Sequence, residues 1–393
     1  MACRLIAVLL MLPALAWAQE TDPEPSGRAD EAADEAPAPI LRDLDLIDAG
    51  TQNDALSLED IPETEVPTNQ SEIDALFDSA QLAYATGEYG TALGLARTAA
   101  AAGHAQAATL AGLLHEEARI EEASDVVAVR WYRRAASQGE PVGNYRLGLM
   151  AQADRAGLAR TEARGFFLRA AQAGHVPAML AYALVLKASP VPQDALLAIE
   201  WADRAASQGH AEAMFQLAQM YDSWERGPQE PAAARQWYVA AAENNHAEAA
   251  LQAGLMLANG EGGEADPESA FALVRQSAEA GFAPAMGQFG LMLLNGWNER
   301  EPDMASAVEW FAQGAVGGDA ESRFLYAVAL AGGIGVDRDL VRAYYWTLMA
   351  EYEMDGTRSL NVDRDRLQAA LENDLTPSET EQVRAQIAAF RAR

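Results

Sequence analysis

The chain has 393 residues, half of them hydrophobic and 22% charged, which is enough for a sizeable core and for more than one domain. Acidic residues outnumber basic ones 58 to 28, a formal charge of -30, which argues against a nucleic-acid surface and against docking on anionic lipid. The single cysteine, Cys3, excludes a disulfide framework and cysteine-based zinc or iron–sulfur sites.

The N-terminus reads as an export signal. Arg4 gives a short positive start, Leu5 to Trp17 is an apolar run of 13 residues, and Ala16-Trp17-Ala18 forms an A-x-A cleavage site. Residues 1–18 are therefore expected to be a signal peptide cut after Ala18, leaving a periplasmic or secreted chain that begins at Gln19. An uncleaved anchor is the alternative, but the run is shorter than the ~20 residues that span a bilayer. Cys3 precedes the apolar run, whereas a lipoprotein cysteine follows it, so neither a lipid anchor nor membrane insertion of the mature chain is expected.

Residues 19–70 hold 15 acidic and 2 basic residues and six of the 17 prolines. Such a segment cannot bury enough apolar surface to offset the entropy of ordering it, and a disordered acidic tail is expected. Two patches mix acids with large aliphatics: Ile40 to Ile47, and Leu56 to Ile61. They read either as docking motifs that order on binding or as parts of a spacer.

From residue 71 the chain repeats itself. A pair of small residues, two further positions and then Gly (once Asn) recur with anchors at Gly103, Gly139, Gly174, Gly209, Asn245, Gly281 and Gly318, spaced 35 to 37 apart. The anchor suits a left-handed residue just past a helix end, for which Asn is the usual substitute for Gly. Eight positions before it stands a bulky residue: Leu95, Trp131, Phe166, Trp201, Trp237, Leu273 or Trp310. The ring is expected to fill a hole, while pairs such as Ala135-Ala136 let a neighbouring helix approach. After the anchor a new helix starts, with Asp319 as N-cap, Pro141 at a first helical position, and Glu212, Glu248 and Glu321 in first turns. The variable inner loops are rich in Gly and Pro, as in Ala188 to Pro192, Glu225 to Pro228 and Asn259 to Gly263.

The run Trp131-Tyr132-Arg133-Arg134-Ala135-Ala136-Ser137-Gln138-Gly139 resembles the heart of a Sel1-like repeat. So does Gly333-Ile334-Gly335-Val336-Asp337-Arg338-Asp339, followed by Ala343 and Trp346. The first unit, Leu76 to Gly103 with a turn at Gly87-Glu88-Tyr89-Gly90, is closer to an ordinary tetratricopeptide repeat. The resemblance implies an all-α, right-handed α/α solenoid over residues 71–355. Residues 356–393 are expected to cap it: a helix from Asn361 to Asn373, then a capping box Thr376-Pro377-Ser378-Glu379 opening a helix to about Phe390.

No catalytic, cofactor or metal residues are assigned. His104, His175, His210 and His246 occupy one repeat position, and stacked layers about 8–10 Å apart cannot bring them onto one ion. His115-Glu116-Glu117 begins like H-E-x-x-H, but Arg119 stands where the second ligand is needed, so a solvated helical stretch is expected. Gly333-Ile334-Gly335 reads as a turn rather than a phosphate loop. The resemblance implies a non-enzymatic scaffold that binds a protein or peptide partner in its groove, in envelope signalling or exopolysaccharide control. With 43 acids against 25 bases from residue 71 on, a basic or amphipathic partner is expected. The alternatives are a structural subunit of a polysaccharide-export or cell-wall assembly complex, and an envelope hydrolase.

Overall fold

The computed structural model describes residues 67–350 and 358–391. The expected signal peptide, residues 1–18, and the patches at 40–47 and 56–61 lie outside the described residues. Gln70, assigned above to the tail, already opens the first helix. Among the described residues the chain is helical, with one isolated bridge between Trp297 and Arg300. They form two compact units, one ending at His210 and one beginning at Ala211.

The first unit holds four helix pairs: α1 (Gln70–Ala85) with α2 (Tyr89–Ala101), α3 (Ala105–Glu116) with α4 (Asp125–Ser137), α5 (Pro141–Gln152) with α6 (Ala163–Gln172), and α7 (Val176–Ala188) with α8 (Gln193–Ala206). The second holds α9 (Ala211–Asp222) with α10 (Pro231–Glu243), α11 (Ala247–Asn259) with α12 (Pro267–Glu279), α13 (Ala283–Asn295) with α14 (Met304–Val316), and α15 (Ala320–Gly332) with α16 (Leu340–Met349). The helices α17 (Arg358–Asp374) and α18 (Pro377–Arg391) follow and pack on α16. Within each unit consecutive helices pack in order, and the fold is an all-α solenoid.

The seven anchors take the expected conformation, with φ from 64° at Asn245 to 99° at Gly103. The turn closes the same way at Gly103, Gly139, Gly174, Asn245, Gly281 and Gly318. At Asn245 its own N–H reaches the Ala242 carbonyl, and the next N–H, of His246, reaches back to Ala241, both at 3.0 Å. These two bonds use carbonyls that the helix end leaves free. The following residue then caps the new helix. Asp319 Oδ2 accepts from the Ser322 N–H at 2.7 Å, and Glu140 Oε2 from the Gly143 N–H at 2.6 Å. The first turn is tighter than its sequence indicates: Thr86 to Glu88 link the helices, while Tyr89 and Gly90 already belong to α2. The closing capping box forms, with Glu379 accepting from the Thr376 N–H at 2.8 Å.

The bulky position needs correction. Trp131, Phe166 and Trp201 are buried, but Leu95, Trp237, Leu273 and Trp310 are only partly so. The residue one place later is the deeper one: Tyr132, Phe167, Tyr238, Val274 and Phe311 are all buried. A step of 100° around the helix aims this side chain straight at the first helix of its own repeat. In four of these repeats it meets a glycine there, nine positions past the anchor. A Cβ on Gly112 would stand 2.6 Å from the Tyr132 ring, one on Gly148 2.5 Å from Phe167, one on Gly254 2.7 Å from Val274, and one on Gly290 2.5 Å from Phe311. The earlier ring lies edge-on to an aromatic of the same repeat, as Trp310 does to Phe289 (5.3 Å, 78°) and Trp201 to Tyr182 (5.6 Å, 85°).

The match of sizes holds in some repeats only, since Ala218 stands at the glycine register of the Tyr238 repeat. Where the first helix carries Ala183 instead of Gly, the opposing residue shrinks to Ala202, and both are buried. A buried tyrosine hydroxyl also needs a partner. Tyr132 donates to Glu116 at 2.6 Å, and Tyr238 faces Asp222, the equivalent acid. In the two phenylalanine repeats that position holds Gln152 and Leu294, and there is no hydroxyl to satisfy.

Gly148→Ala is expected to overpack the α5–α6 contact and cost about 1–3 kcal/mol, read as a lower midpoint in denaturant melts. Phe167→Ala is expected to cost about 3–5 kcal/mol by opening a cavity in the same place. Gly148→Ala combined with Phe167→Leu should recover part of the first loss.

Candidate interaction surface

The side chains weighed as ligands turn out to be structural. The Nδ1 atoms of His104, His175 and His246 accept the N–H of Ala107 (3.1 Å), Ala178 (3.2 Å) and Ala249 (3.2 Å), so each imidazole is itself a helix N-cap. Each ring also lies on an aromatic of the preceding repeat: Phe77 at 4.3 Å, Tyr145 at 4.8 Å and Phe215 at 4.4 Å. Nε2 of His246 sits 3.1 Å from Glu212, and that of His104 is 3.8 Å from Asp74. Accepting a helix N–H requires the unprotonated Nδ1, so the cap works in the neutral ring. Among the described residues no group of three or more His, Cys, Asp or Glu is arranged to hold a metal ion.

The stretch His115-Glu116-Glu117 is not a solvated one. His115 is buried. Glu116 turns inward, accepts from Tyr132, and pairs with Arg155 at 3.3 Å and Arg146 at 3.8 Å. Arg155 also grips Asp125 through two bonds, of 2.9 and 2.6 Å. Only Glu117 faces solvent, where it accepts from Tyr84 at 2.8 Å. The hydroxyl of a buried ring sets this polarity, a requirement that adjacent residues in the sequence do not reveal. Gly333 and Gly335 form a turn, with φ of 68° and 65°. A Cβ on Gly335 would fall 2.2 Å from the Met304 carbonyl, so the loop is pressed against the start of α14.

The surface left for a partner lies on the first helices. Two pairs of successive first helices touch, α1 with α3 and α13 with α15. Side chains cross between them: Gln288 on α13 donates to Glu321 on α15 at 3.2 Å. On most of these helices the least buried face recurs three, seven, ten and fourteen positions after the anchor, the spacing of one helical stripe, whereas Leu110, Leu325 and Val328 at these positions are buried.

The two units fill this stripe differently. In the first it carries Val142, Ala181, Leu113, Leu149 and Leu184, and Leu184 is 36% exposed. Arg146 is the cation among them. In the second the stripe carries Glu212, Glu248 and Glu321 in first turns and Gln216, Gln252 and Gln288 one turn later. Gln216 donates to Glu212 at 2.9 Å. Burial first, and then the charge of Asp319, raises the Glu321 carboxyl to about 7.

With this geometry in place, comparison with known proteins gives the family. The Sel1 repeat profile matches seven consecutive segments: residues 105–140, 141–175, 176–210, 211–246, 247–282, 283–319 and 320–352. The chain belongs to the Sel1 repeat family. The profile leaves out the helix pair α1–α2 and the closing helices α17 and α18. A Sel1 repeat protein from Oxalobacter formigenes shares 27% identity, with a TM-score of 0.61 over 76% of this chain and 88% of that one. A protective antigen of uropathogenic Escherichia coli with an SLR fold shares 23% identity, with a TM-score of 0.66 over 80% of this chain. The chain spans 66% of that antigen's length. No curated protein matches the chain. Sel1 repeat proteins generally mediate protein–protein interaction, and the repeat is typically a non-catalytic scaffold.

Two titrations follow. Glu321 binds its proton more tightly folded, at about 7, than unfolded, near 4.5, so its contribution to stability is full at low pH and is lost as pH rises through 7. Glu321→Gln should remove that part of the loss in denaturant midpoints compared between pH 5 and pH 8. His175 is shifted the other way, its pKa lowered chiefly by burial. Its cap is intact above the unfolded value of about 6.5 and is lost as pH falls through the lowered folded value. His175→Asn caps without titrating, and should flatten the melting temperature between pH 7.5 and pH 5.

Proposed function

We propose that this Sel1-repeat protein is an exported, non-enzymatic adaptor. It holds a basic or amphipathic protein or peptide along the inner faces of its helix pairs, and it serves envelope signalling or exopolysaccharide control. The observation that carries the reading is the partly exposed stripe of the first helices. Much of the rest of those helices goes into caps, ring pockets and inter-repeat bonds, whereas Leu113, Leu149 and Leu184, ten positions past their anchors, and Gln216 and Gln252, seven past theirs, are not fully buried. Such stacked faces give extended binding surfaces. The excess of acids over bases attracts a basic partner at long range, an effect that salt screens. The apolar run ending in Ala16-Trp17-Ala18 supports export.

The test is a pull-down from envelope extract with the mature chain. A specific partner should be recovered at low ionic strength and in reduced yield at high salt. Leu149→Asp with Leu184→Asp should lower recovery while leaving the helix content unchanged. Recovery insensitive to salt and to both substitutions would remove the reading. Sequencing the N-terminus of protein isolated from cells should give Gln19.

A further inference from the structure

In a chain of net charge -30, two first helices of the first unit carry no acid. Neither α5 nor α7 holds an Asp or Glu, and their charged residues are one cation each, Arg146 and Lys187. The two helices are neighbours: the Tyr145 ring of α5 lies 4.8 Å from His175, whose Nδ1 caps α7. Leu149 and Leu184 hold equivalent places on them, ten positions past their anchors, and neither is fully buried. Arg146 stands three positions before Leu149 and Lys187 three after Leu184, so each cation shares the face of its leucine. Arg146 is one-third exposed, and its pair with Glu116 is long, at 3.8 Å. An apolar face with two cations and no carboxylate of its own suits an acidic segment rich in aliphatics.

The chain supplies such a segment itself, outside the described residues. Ile40, Leu41, Leu44 and Ile47 have the spacing of one helical stripe, and Asp43, Asp45 and Asp48 lie among and after them. Ile47 precedes Gln70, where α1 opens, by 23 residues. A link of that length extends to ~80 Å and, as a flexible coil, spans ~26 Å on average. Both exceed the ~10–12 Å width of a helix several-fold or at least twofold, so the first unit is within reach. Tethering holds the segment at an effective concentration of order mM, so even a weak contact is populated. Charge directs it to that unit. Residues 71–210 hold 15 acids against 12 bases, whereas residues 211–393 hold 28 against 13 and repel a tail with 15 acids and 2 bases.

We infer that residues 40–48 of the chain's own tail dock on the face shared by α5 and α7, with their aliphatic side chains on Leu149 and Leu184 and their aspartates beside Arg146 and Lys187. The docked segment covers the apolar part of the stripe, and a partner must displace it. That displacement rests on the binding role given above; the contact itself does not.

Lys187 is the only lysine of the chain, which makes the test specific. A water-soluble carbodiimide joins a carboxylate to an amine as an amide, taking up the water that is lost, so every lysine product in the chain starts from Lys187. The full mature chain, half of it isotope-labelled, is treated at low concentration, digested and read by mass spectrometry. The expected product joins Lys187 to the peptide that holds Asp43, Asp45 and Asp48, both halves from the same isotope. Leu44→Ser with Ile47→Ser keeps every carboxylate and should lower the yield at least about tenfold, the effect of losing two apolar anchors. Leu149→Asp should lower it as well, with circular dichroism unchanged. Absence of the product, full yield from the Leu44→Ser and Ile47→Ser variant, or a product that joins the two isotopes and so marks a second copy as the occupant, would overturn the proposal. The crosslink is read without any partner. A crosslink with no partner recovered from extract by parent or variant would overturn the adaptor role and leave the contact standing.

Discussion

A ring seated against a glycine sets the thickness of each repeat that carries the pair. Without a Cβ on the first helix, the second can drive Tyr132, Phe167 or Phe311 almost onto its backbone. Close approach multiplies dispersion contacts that are individually weak. It also fixes the rotation of both helices, since a ring aimed 100° away would miss the hole. Once that rotation is fixed, the inner stripe has no freedom left, and leucines or amides separated by whole repeats line up. The chemistry offered to a partner is thus set by a contact on the opposite side of the same helices.

The turns between repeats are equally constrained. The anchor residue must be left-handed, and in most repeats the side chain of the next one caps a helix, Phe282 being an exception. Histidine is an unusual choice for a cap, but here it does two jobs. Its nitrogen accepts a backbone N–H, while its flat face covers an aromatic ring of the repeat before. Asp319 and Glu140 do only the first. The histidines thus add ring contact with the repeat before, where Glu140 instead accepts a hydrogen bond from Thr109 at 2.7 Å.

Much of this was legible in the sequence, because helix ends carry their own chemistry. The anchors, the caps at Asp319 and Thr376 and the turn at Gly333 each need one residue type at one place. The seating of the rings was not, because a periodic pattern gives the spacing of bulky residues but not which of two neighbours points inward. Trp131 and Tyr132 are both large aromatics, and the opposing Gly112 distinguishes them. That signal was present all the same, in the recurring Gly-Leu-Leu and Gly-Leu-Met of the first helices, such as Gly148-Leu149-Met150 and Gly290-Leu291-Met292. Glu116 was misjudged for a related reason: its partner, the Tyr132 hydroxyl, is 16 residues away. The amide stripe was visible too, but only when residues are compared at equal distance from each anchor rather than with their neighbours in the chain.

Bonds between repeats are short in sequence. Arg169 reaches back 25 positions to Asn144, Gln276 reaches 34 to Ala242, and Arg384 reaches 40 to Tyr344. A chain wired in this way closes only small loops as it forms, each at modest entropic cost. Within either unit, one pair of helices can settle on the last while later residues are still being delivered, so assembly can keep pace with a polypeptide that arrives end first.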